Sequence, residues 1–145
     1  MQLSLLLVRL YKILESNKKK YVFLPFILYW IILLGLTSYP ADGIPVFGIG
    51  DKFEHLFAYL VLSIFMQLTF HFQERYINLK KNHVYYTIVI SFIYGILDEL
   101  HQYYIPGRFC DILDLISNII GTLIAVVLVN YFINRGSDTK NLSYE

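Results

Sequence analysis

The chain has 145 residues, of which 57% are apolar, and a formal net charge of +1. A water-soluble domain of this length cannot hide so much apolar surface, whereas a bilayer solvates it. The near-zero charge and the lack of any helix-turn-helix, zinc-finger or RNA-binding signature give nucleic acid no support as a partner, and the single Cys110 rules out an intramolecular disulfide.

The opening stretch Leu3 to Leu14 reads as a short amphipathic helix on the membrane surface, with Arg9 and Lys12 toward the headgroups. An ordinary helix packed on the bundle is the plainer alternative. A signal peptide does not fit, because both charges follow the apolar run and no small-residue cleavage site comes after it. Four spans follow: Tyr21 to Tyr39, with Pro25 near its start; roughly Phe53 to Phe72; a third from Val84; and a fourth from about Asp111 to Ile133. Val84 to Leu97 covers only roughly 21 Å at about 1.5 Å per residue. The third helix must therefore continue through Asp98, Glu99 and His101 to cross a hydrocarbon core. The uninterrupted apolar run of the fourth begins only at Ile119, so Asp114 and Asn118 must lie inside it. The expected fold is all-α and polytopic. Residues 1–20 form a basic amphipathic segment, 21–133 a four-helix membrane domain, and 134–145 a polar tail.

Charge orients the chain. Of its 12 Lys and Arg residues, only Lys52 and Arg108 fall in the two short loops on one side; Arg9, Lys12, Lys18, Lys19, Lys20, Arg75, Lys80, Lys81, Arg135 and Lys140 fall on the other. The positive-inside rule then puts both termini in the cytoplasm and the loops Pro40 to Lys52 and Tyr103 to Cys110 outside. The expected location is the bacterial inner membrane.

This topology gathers the polar residues of the spans at the outward end. Asp51, Glu54 and His55 open the second span, Asp98, Glu99, His101 and Gln102 close the third, and Arg108, Asp111, Asp114 and Asn118 surround the start of the fourth. Asp51 and His55 are four apart, as are Asp98 and Gln102, and Asp111, Asp114 and Asn118 follow an i, i+3, i+7 stripe, so each set shares a helix face. Such groups turn inward and pair with one another, with Arg108 or with water. Gly121 and Ala125 continue the Asp114 face and are small enough for close helix approach.

Each residue has a plainer reading beside the functional one. His55 reads as a structural histidine or a proton carrier. Asp98 and Glu99 read as acid/base or metal-binding groups, since neighbouring carboxylates push their pKa values apart, or as partners of Arg108 and Lys52. Asp111 reads first as an N-cap. Arg108 suits a phosphate or carboxylate and equally suits neutralising the acids. His71 and His83 look incidental, and of the tyrosines only Tyr59 and Tyr94 face the cluster. His55 and His101 with Asp98, Glu99 or Asp114 could ligate a metal, but no metalloprotease-like spacing supports one, and no cofactor is indicated. Serine-nucleophile, P-loop and dinucleotide motifs are absent.

The segments DKFEHLFAY (Asp51 to Tyr59), GILDELHQYYIPGR (Gly95 to Arg108) and DLISNIIG (Asp114 to Gly121) resemble, in order and spacing, the VanZ-like family of small bacterial membrane proteins. The resemblance carries over Asp51, Lys52 and His55; Asp98, Glu99, Gln102 and Arg108; and Asp114, Asn118 and Gly121. His101 and Asp111 fall at positions that vary in the family, and the basic amino-terminal extension lies outside the pattern. The namesake is linked to resistance to the glycopeptide teicoplanin, and most members point to a general envelope role.

The catalytic candidates are Asp98, Glu99, His55 and Asp114, and the substrate-holding candidates are Arg108, Lys52, Asp51, Gln102 and Asn118. The leading expectation is an envelope factor acting at the outer leaflet on a lipid-linked or amphiphilic molecule, with hydrolysis or transfer at a phosphate or acyl group if it is an enzyme. The alternative is a non-catalytic binding or scaffold protein whose polar cluster glues the helices. An ion-coupled transporter is a third reading. It would need an oligomer, and the sequence gives it no polar track through the inner half.

Overall fold

The structure is a computed structural model that describes residues 2–40 and 50–138. Most of the expected outward loop (41–49) and the tail from 139, with Lys140, lie outside the described residues. Helix α1 spans Gln2–Ser16. A π-helical turn, Lys19–Phe23, runs into α2, Leu24–Thr37. Then come α3, Asp51–Phe72; the short α4, Ile77–Lys81; α5, His83–Gln102; and α6, Ile112–Gly136. The described residues contain no strand.

Local chemistry sets these boundaries. Pro25 has no N–H and its ring crowds the preceding turn. The chain accommodates it by widening upstream, where the Leu24 N–H reaches back five residues to the Lys19 carbonyl. At the start of α6 the Asp111 side chain accepts the Leu113 N–H, the N-cap that its position suggested. Helix α5 does continue through Asp98, Glu99 and His101.

Three helical stretches are long and apolar enough to cross a membrane: Lys19–Thr37, Asp51–Phe72 and Ile112–Gly136. Helix α5, expected as a further span, has 20 residues but is not among them, because the polar residues of its acidic end lower its hydropathy.

The bundle mixes polar with apolar side chains inside and exposes many large apolar ones outside. Buried positions include Ser63, Gln67, Thr87, Ser91, Asn118 and Thr122, while Ile27, Ile31, Ile32, Ile93 and Val127 are exposed. That is the pattern expected of helices solvated by lipid.

The broadest contact joins α3 to α6. A Cβ on Gly121 would sit 2.2 Å from the Leu56 carbonyl oxygen, so only glycine lets the two backbones meet there. The small-residue face foreseen at Gly121 and Ala125 is this contact. One apolar cluster, Val22, Leu68, Phe72, Val129 and Ile133, closes the end of the bundle remote from Asp51; another, Leu33, Tyr59, Leu62 and Met66, joins α2 to α3.

Helix α1 docks at that remote end. Val8 is fully buried, and Tyr11 packs on Phe72 and Phe132 and hydrogen-bonds His71 Nε2 at 2.9 Å. This face behaves as the plainer, packed-helix reading expected. Leu3, Leu6, Leu10 and Ile13 remain exposed on α1, as do Arg9 and Lys12.

Candidate functional site

The N-terminus of α3, the C-terminus of α5 and the N-terminus of α6 lie together, with the C-terminal end of α2 beside them. The helical spacing of Asp51 and His55, of Asp98 and Gln102, and of Asp114 and Asn118 turns all six toward a common centre.

His55 occupies that centre. Its Nδ1 lies 3.2 Å from Asn118 Oδ1 and 3.8 Å from Glu99 Oε1. Its Nε2 lies 3.8 Å from Asp51 Oδ1 and 3.9 Å from Asp114 Oδ2. A proton on Nδ1 would donate to the Asn118 carbonyl, and Nε2 faces the two carboxylates. The Nδ2 of Asn118 is buried without a hydrogen-bond partner, and so is Glu99 Oε1.

Lys52 is committed to the protein. Its Nζ lies 2.5 Å from Asp111, 2.6 Å from Asp114 and 3.3 Å from Asp51. Asp111 lies outside the apolar segments, and the Lys52 bond, helped by the Leu113 N–H, holds its carboxyl below the usual carboxylate range. The Asp111 N–H in turn donates to Glu99 Oε2 at 3.0 Å, tying the last turn of α5 to the entrance of α6.

Arg108 is committed as well. Its Nη2 donates to the Leu36 carbonyl at 2.8 Å, its Nε to the Tyr39 carbonyl at 3.1 Å and its Nη1 to Gln102 Oε1 at 3.0 Å. The first two acceptors are a carbonyl of the last turn of α2 and one just beyond it, where the helical hydrogen-bond ladder runs out. Arg108 is thus a clamp between α2 and α5 and makes no ion pair among the described residues. Asp98 accepts from the Tyr59 hydroxyl and from Gln102 Nε2, each at 3.4 Å. Tyr94 stacks on Tyr59. His101 turns aside and pairs with Ser38 at 3.0 Å.

Between α2 and α3 lies a cavity of about 390 Å³. Ile32, Leu33, Leu36, Phe57, Ala58 and Val61 form its apolar wall, and Asp51, Glu54, His55, Asp98 and Arg108 its polar end. Asp51, His55 and Asp114 also present donor atoms within 4.8 Å of one another, as a metal ion would need. The Lys52 ammonium already stands against Asp51 and Asp114, however, and supplies the positive charge that an ion would bring.

The polar lining runs further than the sequence motifs. His55, Tyr59, Ser63, Gln67 and His71 recur every four residues along α3. Ser63 bonds Ser91 at 3.1 Å and Thr122 at 3.0 Å; Gln67 bonds His83 at 3.2 Å; and His71 and His83 meet edge to face, with centroids 5.2 Å apart. The half of the bundle remote from Asp51 therefore does carry polar groups, against the expectation of no polar track there, and His71 and His83 are packed partners of one another. The i+4 repeat was the signal; serines and a glutamine within an apolar span do not register in a search for charges.

A family model described as VanZ/LLP1 matches residues 7–133. The match begins within α1, so it takes in most of the basic amino-terminal stretch expected to lie outside the family pattern. No curated protein and no solved structure matches the chain. Proteins of this family are membrane-associated, in keeping with the apolar helices. The match covers nearly the whole bundle, and the chain belongs to the VanZ/LLP1 family.

Proposed function

We propose that the protein binds, and is equipped to act on, a lipid-linked or amphiphilic molecule of the bacterial envelope at the outer leaflet. In this reading α2, α3, α5 and α6 each cross the membrane, both termini are cytoplasmic, and the His55 cluster lies at the external face. The excess of Lys and Arg in 1–20, 75–81 and 135–140 supports that orientation. Helix α1 lies at the cytoplasmic face, with exposed Arg9 and Lys12 at the headgroups.

One observation carries the functional reading: the α2–α3 cavity joins an apolar wall to a cluster of carboxylates around a histidine. An acyl or prenyl chain fits the first part and a polar head the second. His55 Nε2 would accept a proton from water or a hydroxyl, with Asp51, Asp114 and Glu99 stabilising the imidazolium, while Asp98 and Gln102 orient the head. Hydrolysis or transfer at an acyl group is the reaction class that suits a site rich in carboxylates.

The test is photo-crosslinking in lipid with a long-chain amphiphile that carries a diazirine in its chain. Labelling concentrated in residues 29–37 and 57–61 is the expected result; labelling spread evenly over all lipid-facing helices contradicts it. Incubation with cell-wall lipid precursors then separates turnover from binding.

A second reading has its own support. Arg108 and Lys52 both join helices, which suits a non-catalytic binding or scaffold protein with a structural polar cluster. Under that reading Asp98→Asn and His55→Ala lower the melting temperature sharply; under the first they remove function and leave the fold. A link to teicoplanin belongs to the first reading and is read from the susceptibility of a deletion strain.

A further inference from the structure

The external end has a charge imbalance that its own side chains do not resolve. Residues 38–59 and 95–118 contain seven carboxylates, Asp42 among them, and Lys52 and Arg108 are their only lysine or arginine. Lys52 is divided among three acids, and Arg108 is held by two carbonyls and an amide. Neither is free to meet an anionic head.

Asp51, Glu54 and Asp98 outnumber the single Arg108 in the lining of the α2–α3 cavity, and the Glu54 side chain makes no hydrogen bond or ion pair among the described residues. Behind them Glu99, only 3% exposed, keeps Oε1 without a hydrogen-bond partner. Carboxylates near a low-dielectric wall attract a cation more strongly than they would in water. Tyr29 and Tyr59 line the same cavity, and tyrosine faces favour alkylammonium groups.

We propose that the groove takes an amphiphile whose head is positively charged, a long-chain amine or quaternary ammonium. This rests on the groove being the amphiphile site and adds the charge of the head.

Trp30, the one tryptophan, adjoins the cavity-lining Tyr29 in sequence and serves as the probe. Single-chain amphiphiles with one brominated chain and a trimethylammonium, maltoside or phosphate head are titrated into nanodiscs of zwitterionic lipid that hold the protein, and quenching of Trp30 is recorded. The ammonium compound is expected to bind roughly ten-fold more tightly than the maltoside, with the phosphate weakest. Glu54→Gln should reduce that preference about three-fold and leave maltoside quenching unchanged. Equal affinity for all three heads, or a preference for the phosphate, overturns the proposal and leaves the groove intact. Displacement of the ammonium compound by micromolar Mn²⁺ alone also overturns it, because the cation would then be a metal. Quenching by none of the three removes the amphiphile reading itself.

Discussion

The two ends of the bundle are built from the same helices by opposite means. At the Asp51 end, α3, α5 and α6 meet through carboxylates, Lys52 and a histidine, and several buried polar atoms lack partners. At the remote end α3 and α6 meet each other and Val22 of the π-helical turn through Leu68, Phe72, Val129 and Ile133, with His71 of α3 and His83 of α5 packed beside them. An apolar end needs only matching shapes. A charged end costs desolvation that internal pairs only partly return, and the unreturned part is what a ligand can use. The contrast separates scaffold from site.

Substitutions probe the comparison from its strongest effect downward. Gly121→Ala forces a Cβ against the Leu56 backbone, which cannot swing aside. We expect a loss of about 3 kcal/mol or failure to fold, read by thermal melting in detergent. The counterpart at the remote end is Gly136→Ala, whose Cβ meets Tyr11 of α1 at 2.6 Å. Because α1 is a docked terminal helix, it should shift away, with melting little changed and faster hydrogen exchange in residues 2–16.

Next in size, Lys52→Met leaves Asp111 and Asp114 without their shared cation. A loss of about 2 kcal/mol is expected, below the value for a fully buried pair because Lys52 is partly exposed. Ser63→Ala removes two hydroxyl bonds and should cost about 1 kcal/mol, with no effect on amphiphile binding.

The smallest effect is that of acid. The folded state holds the Asp111 carboxyl below its ordinary value through Lys52. Its contribution is therefore complete above the unfolded value of about 4 and is lost as pH falls through the lowered folded value. Melting followed from pH 6 to pH 3 should show a decline that Asp111→Asn flattens.

Spacing and charge made much of this legible. The length deficit after Val84 required α5 to run through Asp98 and Glu99, and the i, i+3 and i+4 intervals placed Asp51, His55, Asp98, Gln102, Asp114 and Asn118 on facing stripes. Sequence could not say whom Arg108 would bond, because a guanidinium donates to carbonyls as well as to phosphates, and the carbonyls at the end of α2 become neighbours only once the bundle forms. The α2–α3 cavity was equally hidden, since its apolar wall has the composition of any lipid-facing surface. The docking of α1 depended on Tyr11 meeting His71, a pairing 60 residues apart.

The most direct test of a site at one end and a scaffold at the other is the amphiphile affinity of folded Asp98→Asn protein. The substitution keeps the shape of the side chain and an oxygen to accept the Tyr59 hydroxyl, and removes one charge from the cavity. The account predicts melting within a few degrees of the parent and roughly ten-fold weaker binding of a long-chain ammonium amphiphile. Undiminished binding, or a bundle that no longer folds, would contradict it.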